Sequence, residues 1–397
     1  MSEVLIDYRK EMEQELKNIL TYWINYAIDT ENGGFYGKID NDNTIYKTAP
    51  KGLVLNSRIL WTFAAAYNHT NKPIYLQTAE RAFKYIGNYF VDKQFGGVYW
   101  SVDYRGNPLD TKKQIYALAF AVYSCSEYYA AVRDESAKQL AINLYKAIVK
   151  HSYDENKGGY IEALTRDWKE IEDLRLSAKD SNEKKSMNTH LHVLEGFANL
   201  YRVWPDARLK EHIVELIHLF LDHIIDNKTN HLVLFLDEDW NPKSDVISYG
   251  HDIEAAWLVQ EAVEIIQDEE LLETVKQRSV KVAVAARRGL DTDGGLWYEK
   301  EKEHLIKEKH WWPQAEAMIG FYNAYQITND KTFLENSLNS WRFVQKYILD
   351  KKDGEWFWGV KEDYTVMAGE DKAGFWKCCY HNGRACLELL KRIPQFS

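Results

Sequence analysis

Apolar positions along the chain follow two helical patterns in alternation. In Tyr8–Ala27, Ile74–Phe90, Glu135–His151, Arg208–Ile225, Glu270–Arg288 and Lys331–Leu349, apolar residues recur every three or four positions with Lys and Glu between them. Such a stripe marks a helix with one wet face. Between these stretches lie segments that are apolar nearly all round and rich in small residues: LVLNSRILWTFAAAYN, YALAFAVYSCSEYYAA, THLHVLEGFANLYRVW, IEAAWLVQEAVEII and PQAEAMIGFYNAYQIT. A helix without a wet face must be covered on both sides.

The connections between the two kinds of helix repeat as well. Gly33-Gly34-Phe35-Tyr36, Gly96-Gly97-Val98-Tyr99, Gly158-Gly159-Tyr160-Ile161 and Gly294-Gly295-Leu296-Trp297 share a Gly-Gly pair followed by strand-like residues. Gly354-Glu355-Trp356-Phe357 is a degenerate copy, and His231-Leu-Val-Leu-Phe-Leu fills the gap without glycines. The period is about 62 residues, repeated six times, and repeats on that scale decide the fold. Twelve helices, alternately outer and inner, with short β-hairpins in the loops predict an all-α (α/α)6 barrel. No Pro/Gly/Ser-rich linker interrupts the pattern, so residues 1–397 are expected to form one domain. The polar stretch Thr165–Lys185 is the one large insertion, of the length usual for functional loops.

Composition narrows the partners. Lys+Arg 50 against Asp+Glu 60 gives a net charge of −10, the opposite of a nucleic-acid footprint. No apolar run approaches a membrane span of roughly 20 residues, and the charged N-terminal segment does not read as a signal peptide. Four cysteines in so long a chain point to a reducing cytoplasm rather than a disulfide framework. Aromatic residues make up 14% of the chain, enough both to fill a core and to line a site for flat faces.

Candidate chemistry gathers where the inner helices begin. Those starts hold Asn56 and Arg58; Tyr116; Asn188, His190 and His192; His251, Asp252 and Glu254; His310, Trp311 and Trp312; and Trp376 and His381. Five of the 12 histidines fall at these recurrent places, which favours a site over scattered structural imidazoles. Arg58, set in an apolar helix, needs an anionic partner, and Glu254 is the expected one. Trp311 and Trp312 are consecutive, so they cannot share one helix face. His190 and His192 are two apart, and Cys378, Cys379, His381 and Cys386 lack paired Cys-x-x-Cys spacing; no metal is expected. No phosphate-binding glycine motif precedes a helix.

At these residues a family becomes recognisable. MNTHLHVLE (187–195), GHDIEAAWLV (250–259), HWWPQAEAM (310–318) and GFWKCCYHNGRACLEL (374–389) resemble the cellobiose 2-epimerases of the N-acylglucosamine 2-epimerase superfamily, over the whole chain and in order. The resemblance implies an (α/α)6 barrel and cofactor-independent inversion at C2 of the reducing-end glucose of cellobiose, lactose and related β-1,4 disaccharides. It implies His251 and His381 as acid/base catalysts and His192 as the ring-opening histidine. Arg58, Asn188 and Glu254 match supporting polar positions, and Tyr116, Trp312 and Trp376 match aromatic walls, with Trp311 beside them. Asp180 resembles a residue that touches the non-reducing sugar. The expected partner is a small disaccharide, with no nucleic acid and no membrane, for a cytoplasmic monomer or weak homodimer.

The chemistry suits such residues. Opening the ring acidifies C2–H, and inverting the centre through a cis-enediolate calls for bases on both faces. Imidazole serves either role near neutrality, and Arg58 would clamp the developing enediolate oxygen. An N-acylglucosamine 2-epimerase or a mannose-type aldose–ketose isomerase would use the same histidines. An (α/α)6 glycoside hydrolase would need two free carboxylates, and Asp252, Glu254, Glu316 and Asp371 are available. A sugar-binding module would account for the tryptophans but not for the histidine pair.

Overall fold

The computed structural model describes residues 2–395. Its twelve α-helices are α1 (Ser2–Tyr22), α2 (Leu53–Thr70), α3 (Pro73–Tyr85), α4 (Ile115–Val132), α5 (Glu135–Ser152), α6 (Met187–Val203), α7 (Ala207–Leu219), α8 (Tyr249–Ile266), α9 (Glu269–Ala286), α10 (Trp311–Thr328), α11 (Lys331–Phe343) and α12 (Tyr380–Arg392). Even-numbered helices form the inner ring, each packed on the next, and α12 closes the ring on α2. Odd-numbered helices form the outer layer, with α1 against α12. The fold is an (α/α)6 barrel, with helix boundaries close to those the periodicity predicts. Four outer helices widen into a π-helical last turn, at Trp23–Ala27, Ile86–Phe90, Phe220–Ile224 and Val344–Ile348.

Local sequence explains where the helices start and stop. Asp134, Asp206, Asp268 and Asp330 cap α5, α7, α9 and α11, each accepting a backbone N–H of the first turn. The inner helices α2, α4, α8 and α10 end on left-handed residues, Asn71, Arg133, Gln267 and Asn329. The small residues of the inner helices permit close approach. A Cβ on Gly196 of α6 would lie 2.7 Å from the Ala119 carbonyl oxygen of α4, and one on Gly320 of α10 would lie 2.6 Å from that of Ile253 in α8.

The loops at the opposite end from these turns form a belt around one mouth. The expected hairpins are present, as in Glu299–Glu301 with His304–Ile306. The longer-range pairings, however, run between neighbouring units. Lys51–Gly52 pairs with Ser101–Val102, Lys113–Gln114 with Ala163–Leu164, Lys185–Ser186 with Phe235–Leu236, and Lys309–His310 with Gly359–Val360. Val246–Ser248 pairs with Glu299–Glu301, and Ile39–Asp40 with Asp371–Ala373. All six junctions, the closing one included, are therefore stitched by antiparallel strands.

Beneath this belt lies a ring of ion pairs built on buried lysines. Lys51 bonds Asp29 at 2.7 Å, Lys113 bonds Asp92 at 2.9 Å, Lys185 bonds Asp154 at 3.0 Å, Lys309 bonds Asp291 at 2.8 Å and Lys372 bonds Asp350 at 2.5 Å. Each Asp follows an outer helix; Lys51, Lys113, Lys185 and Lys309 each stand two residues before an inner helix, and Lys372 eight residues before α12. Burial pushes the Asp29 carboxyl up, but Lys51 and the N–H groups of Asn32 and Glu31 outweigh it and hold it below the usual range. The fourth unit breaks the series: Ile247 stands where the other units have Lys.

Candidate active site

All six inner helices begin at the belted mouth, so their N-terminal dipoles point positive ends into one cavity and favour negative charge there. Which side chains enter that cavity is a matter of helical phase. Counting from the first residue of each inner helix, the side chains one and five positions on share a face. The side chain three positions on lies roughly 200° round from the first of these.

The structure sorts the mouth residues accordingly. His190, Asp252 and Gln314, three positions on, turn away and hold the connecting loops. His190 Nε2 accepts the Tyr160 N–H at 2.9 Å while its Nδ1 meets the Ser186 carbonyl at 2.7 Å. Asp252 accepts the Leu232 N–H at 2.8 Å and bonds His231 at 2.6 Å; Gln314 accepts the Leu296 N–H at 2.7 Å. His310 precedes α10, stacks on Tyr298 with ring centroids 4.0 Å apart and bonds Glu308. Two of the five histidines counted at the mouths thus belong to the scaffold.

The others converge. The Trp312 ring touches both candidate bases, with its centroid 4.7 Å from that of His251 and 5.7 Å from that of His381. His192 meets the edge of Tyr116 at 5.0 Å and lies 4.6 Å from Phe120. Tyr116 and Trp376 are 6.0 Å apart edge to face, continuing the aromatic wall. Trp311, only 2% exposed, packs against Trp358 at 4.4 Å rather than beside Trp312. Asn188 carries a buried amide oxygen without a partner among the described residues. Asp180 accepts the Ser177 N–H at 2.8 Å within its own loop, and its charge reaches Tyr298 and Glu299.

His192, His251 and His381 are each held through Nδ1, with no partner on Nε2 among the described residues. His192 Nδ1 lies 2.8 Å from Glu195 and His381 Nδ1 lies 2.7 Å from Glu316. His251 Nδ1 lies 2.8 Å from the Ser248 hydroxyl. Ser248 stands at the N-cap of α8 yet caps no backbone N–H, because its hydroxyl is turned to the imidazole. Burial lowers both candidate bases to about 3; Glu316 opposes the shift at His381.

Arg58 is not paired with Glu254 as expected. Its guanidinium donates to the Tyr116 hydroxyl at 2.7 Å and the Trp376 carbonyl at 3.2 Å, and lies over the Phe120 ring at 4.4 Å. Glu254 does not reach Nδ1 of His251 either. Both carboxylates belong to Arg384, whose Nη2 donates to Glu254 and Glu316 at 2.6 Å each, while Nη1 bonds Glu195 and the Tyr380 hydroxyl. Glu254, Glu316 and His381 bring three potential ligand atoms within 4.8 Å of one another, and the positive charge set against them is this guanidinium. Burial and the Glu316 charge push Glu254 up, whereas Arg384 and His381 overcome burial and hold Glu316 down. The sequence reading passed over Arg384 and Glu195. The available signal was the rule applied to Arg58, that a charge in an apolar helix needs a partner, together with the i, i+3 spacing of Glu195 to His192 and Arg384 to His381.

Known proteins agree with the architecture. The N-acylglucosamine 2-epimerase (GlcNAc 2-epimerase) family model matches residues 34–385. A cellobiose 2-epimerase of Bacteroides fragilis is 49% identical over 393 residues, covering 98% of this chain and all of that one. A cellobiose 2-epimerase of Dictyoglomus turgidum is 39% identical, covering 97% and 98%. The solved cellobiose 2-epimerase of Bacillus thermoamylovorans superposes with a TM-score of 0.94 at 40% identity, covering 97% of this chain and 99% of that one. With the match running from the first hairpin into the last inner helix, the chain belongs to the N-acylglucosamine 2-epimerase family.

Proposed function

We propose that this carbohydrate epimerase inverts C2 of the reducing-end glucose of β-1,4 disaccharides such as cellobiose and lactose, giving mannose at that end. The near full-length identity to cellobiose 2-epimerases supports the substrate class. The observation that carries the chemistry is the pair His251 and His381, from two different inner helices and both in ring contact with Trp312, each with no partner on Nε2 among the described residues.

His192 moves protons between O1 and O5 as the ring opens. One imidazole of the pair then takes the C2 proton from one face, and the other, starting as imidazolium, returns a proton to the opposite face. Burial makes that imidazolium a strong donor. Across one turnover the pair exchanges roles, so no net proton is gained or lost. Arg58 and the inner-helix N-termini stabilise the enediolate oxygen. Tyr116, Trp312 and Trp376 form the walls, with Asn188 and Asp180 as polar contacts for the sugars. Protonation at C1 instead of C2 gives the 2-keto sugar, the product of an aldose–ketose isomerase, as a minor side reaction.

The carboxylates nearest the histidines, Glu254 and Glu316, are both bonded to Arg384. This favours epimerisation over glycoside hydrolysis, which needs a free acid and a free base. We further propose that residues 1–397 act as one catalytic domain, without cofactor or metal, in the cytoplasm, as a monomer or weak homodimer with no nucleic-acid or membrane partner. The net charge of −10 and the four unpaired, buried cysteines support that setting, and no helix of the described residues is long and apolar enough to cross a membrane.

Incubation in D2O with cellobiose, lactose, mannobiose, mannose and N-acetylglucosamine tests the reading. The expected result is a mannose-ended disaccharide carrying deuterium at C2. Free glucose, or an unlabelled epimer, would overturn it.

A further inference from the structure

We propose that Arg384 is a positioning residue that orients His192 and His381 together, by clamping the carboxylates to which their Nδ1 atoms donate. The inference rests on the reading of His381 as a C2 acid/base. A continuous chain of contacts runs from His192 through Glu195 to Arg384, and on through Glu316 to His381. All five groups are at least nine-tenths buried, so each bond operates without competition from water. One guanidinium, with its planar fork of donors, thereby fixes the ring planes of two histidines on different helices.

The clamp also sets the tautomers. An ionised carboxylate only accepts, so a Glu316 kept anionic obliges His381 to carry its proton on Nδ1 and present Nε2 as a lone pair. The same holds for Glu195 and His192. His251 lies outside the clamp: its Nδ1 faces Ser248, a hydroxyl that donates or accepts, so either tautomer is open to it. One imidazole of the pair is therefore fixed as a base in its neutral state, while the other is free to alternate.

The surroundings leave this role to Arg384. Around Glu316 and His381 stand Arg58 from α2, Tyr116 from α4, Glu195 and His192 from α6, Glu254 and His251 from α8, and Tyr380 and Arg384 from α12. Of the two cations, Arg58 is engaged by Tyr116 and the Trp376 carbonyl, and only Arg384 bonds the carboxylates.

Replacing Arg384 by Met leaves His381 and Glu316 in place but removes the cation from the pair. The pair then binds a proton at higher pH, on either partner, and either location removes the base. The expected result is a fall in kcat of roughly 10²-fold, within the range of general acid/base contributions, at little changed KM. The acid limb of the kcat/KM profile should move toward neutrality. A variant that only lost folded protein would keep the wild-type limb.

If Arg384→Met does not fold, Arg384→Lys keeps the charge but reaches fewer than three carboxylates. Its kcat should fall at least roughly ten-fold, and the 15N signal of a histidine that has lost its anchor should show mixed tautomers. Wild-type kcat in either folded variant overturns the proposal while leaving the two-base reading intact. Turnover in His381→Asn overturns the two-base reading itself.

Discussion

Two sets of ion pairs on buried cations meet at the belted mouth, one at the rim and one near the axis. At the rim, five Lys–Asp pairs recur with the period of the chain. Near the axis one guanidinium serves three carboxylates and has no counterpart in another unit. The same contrast separates the polar residues three positions into the inner helices from those one, two and five positions in. His190, Asp252 and Gln314 all do one job, holding the strand beside them. Arg58, His192, His251, Trp312 and His381 each meet different partners. In a repeat protein, what recurs is architecture, and a polar residue that breaks the recurrence marks chemistry.

Substitutions on the two sides of that divide should separate turnover from stability. His251→Asn and His381→Asn, on the non-recurring side, should each lower epimerisation by roughly 10³–10⁴-fold with an unchanged unfolding midpoint. Product analysis and thermal melting check both halves, and near-normal turnover in either variant breaks the division.

Lys51→Met, on the recurring side, leaves the buried Asp29 without its cation. It should cost about 3–5 kcal/mol of stability in urea unfolding, while kcat of the folded fraction stays at the wild-type value.

His190→Gln sharpens the comparison further, because Gln314 already performs that role without titrating. Burial lowers His190 to about 4, well below the ordinary imidazole value near 6.5. Its folded value lies below its unfolded one, so its contribution is complete above the unfolded value and is lost as pH falls toward the folded one. Between pH 6.5 and 5 the wild type should lose about 2 kcal/mol on this account. The Gln variant should show a correspondingly flatter dependence of its melting temperature on pH.

Ser248→Ala removes the one partner of His251 Nδ1. Because a hydroxyl is neutral and the ring stays against Trp312, turnover should fall only about ten-fold. A loss as large as that of His251→Asn would place Ser248 in the proton path itself.

The barrel was legible because its causes are local and periodic: wet and dry helix patterns, glycine-bearing turns and a constant spacing. The Lys–Asp ring was equally periodic, with Asp29, Asp92, Asp154, Asp291 and Asp350 a few residues ahead of each turn. Each Asp and its Lys lie 18 to 31 residues apart, so their pairing depends on how the intervening loop folds, which the spacing of the aspartates alone does not encode. Recurrence among the histidines drew in His190 and His310, whose phase turns them outward. Arg384 and Glu316 lie 68 residues apart and Arg384 and Glu195 lie 189 apart, so the clamp depends on tertiary closure that spacing does not encode.

That closure has a consequence for how the protein is made. Ile39 pairs with Ala373, α1 packs on α12, and Arg9 donates to the Ile393 carbonyl at 2.7 Å. The seam joins segments more than 330 residues apart, so the earlier one leaves the ribosome long before the later one. Until it forms, the apolar flanks of α2 and α10 lack their cover, and neither His381 nor Arg384 has reached the mouth. Contacts of such sequence separation are slow to form and leave sticky surface exposed meanwhile. Ring closure is thus the step at which a nascent chain stops being an aggregation hazard, and at the same moment first becomes a catalyst.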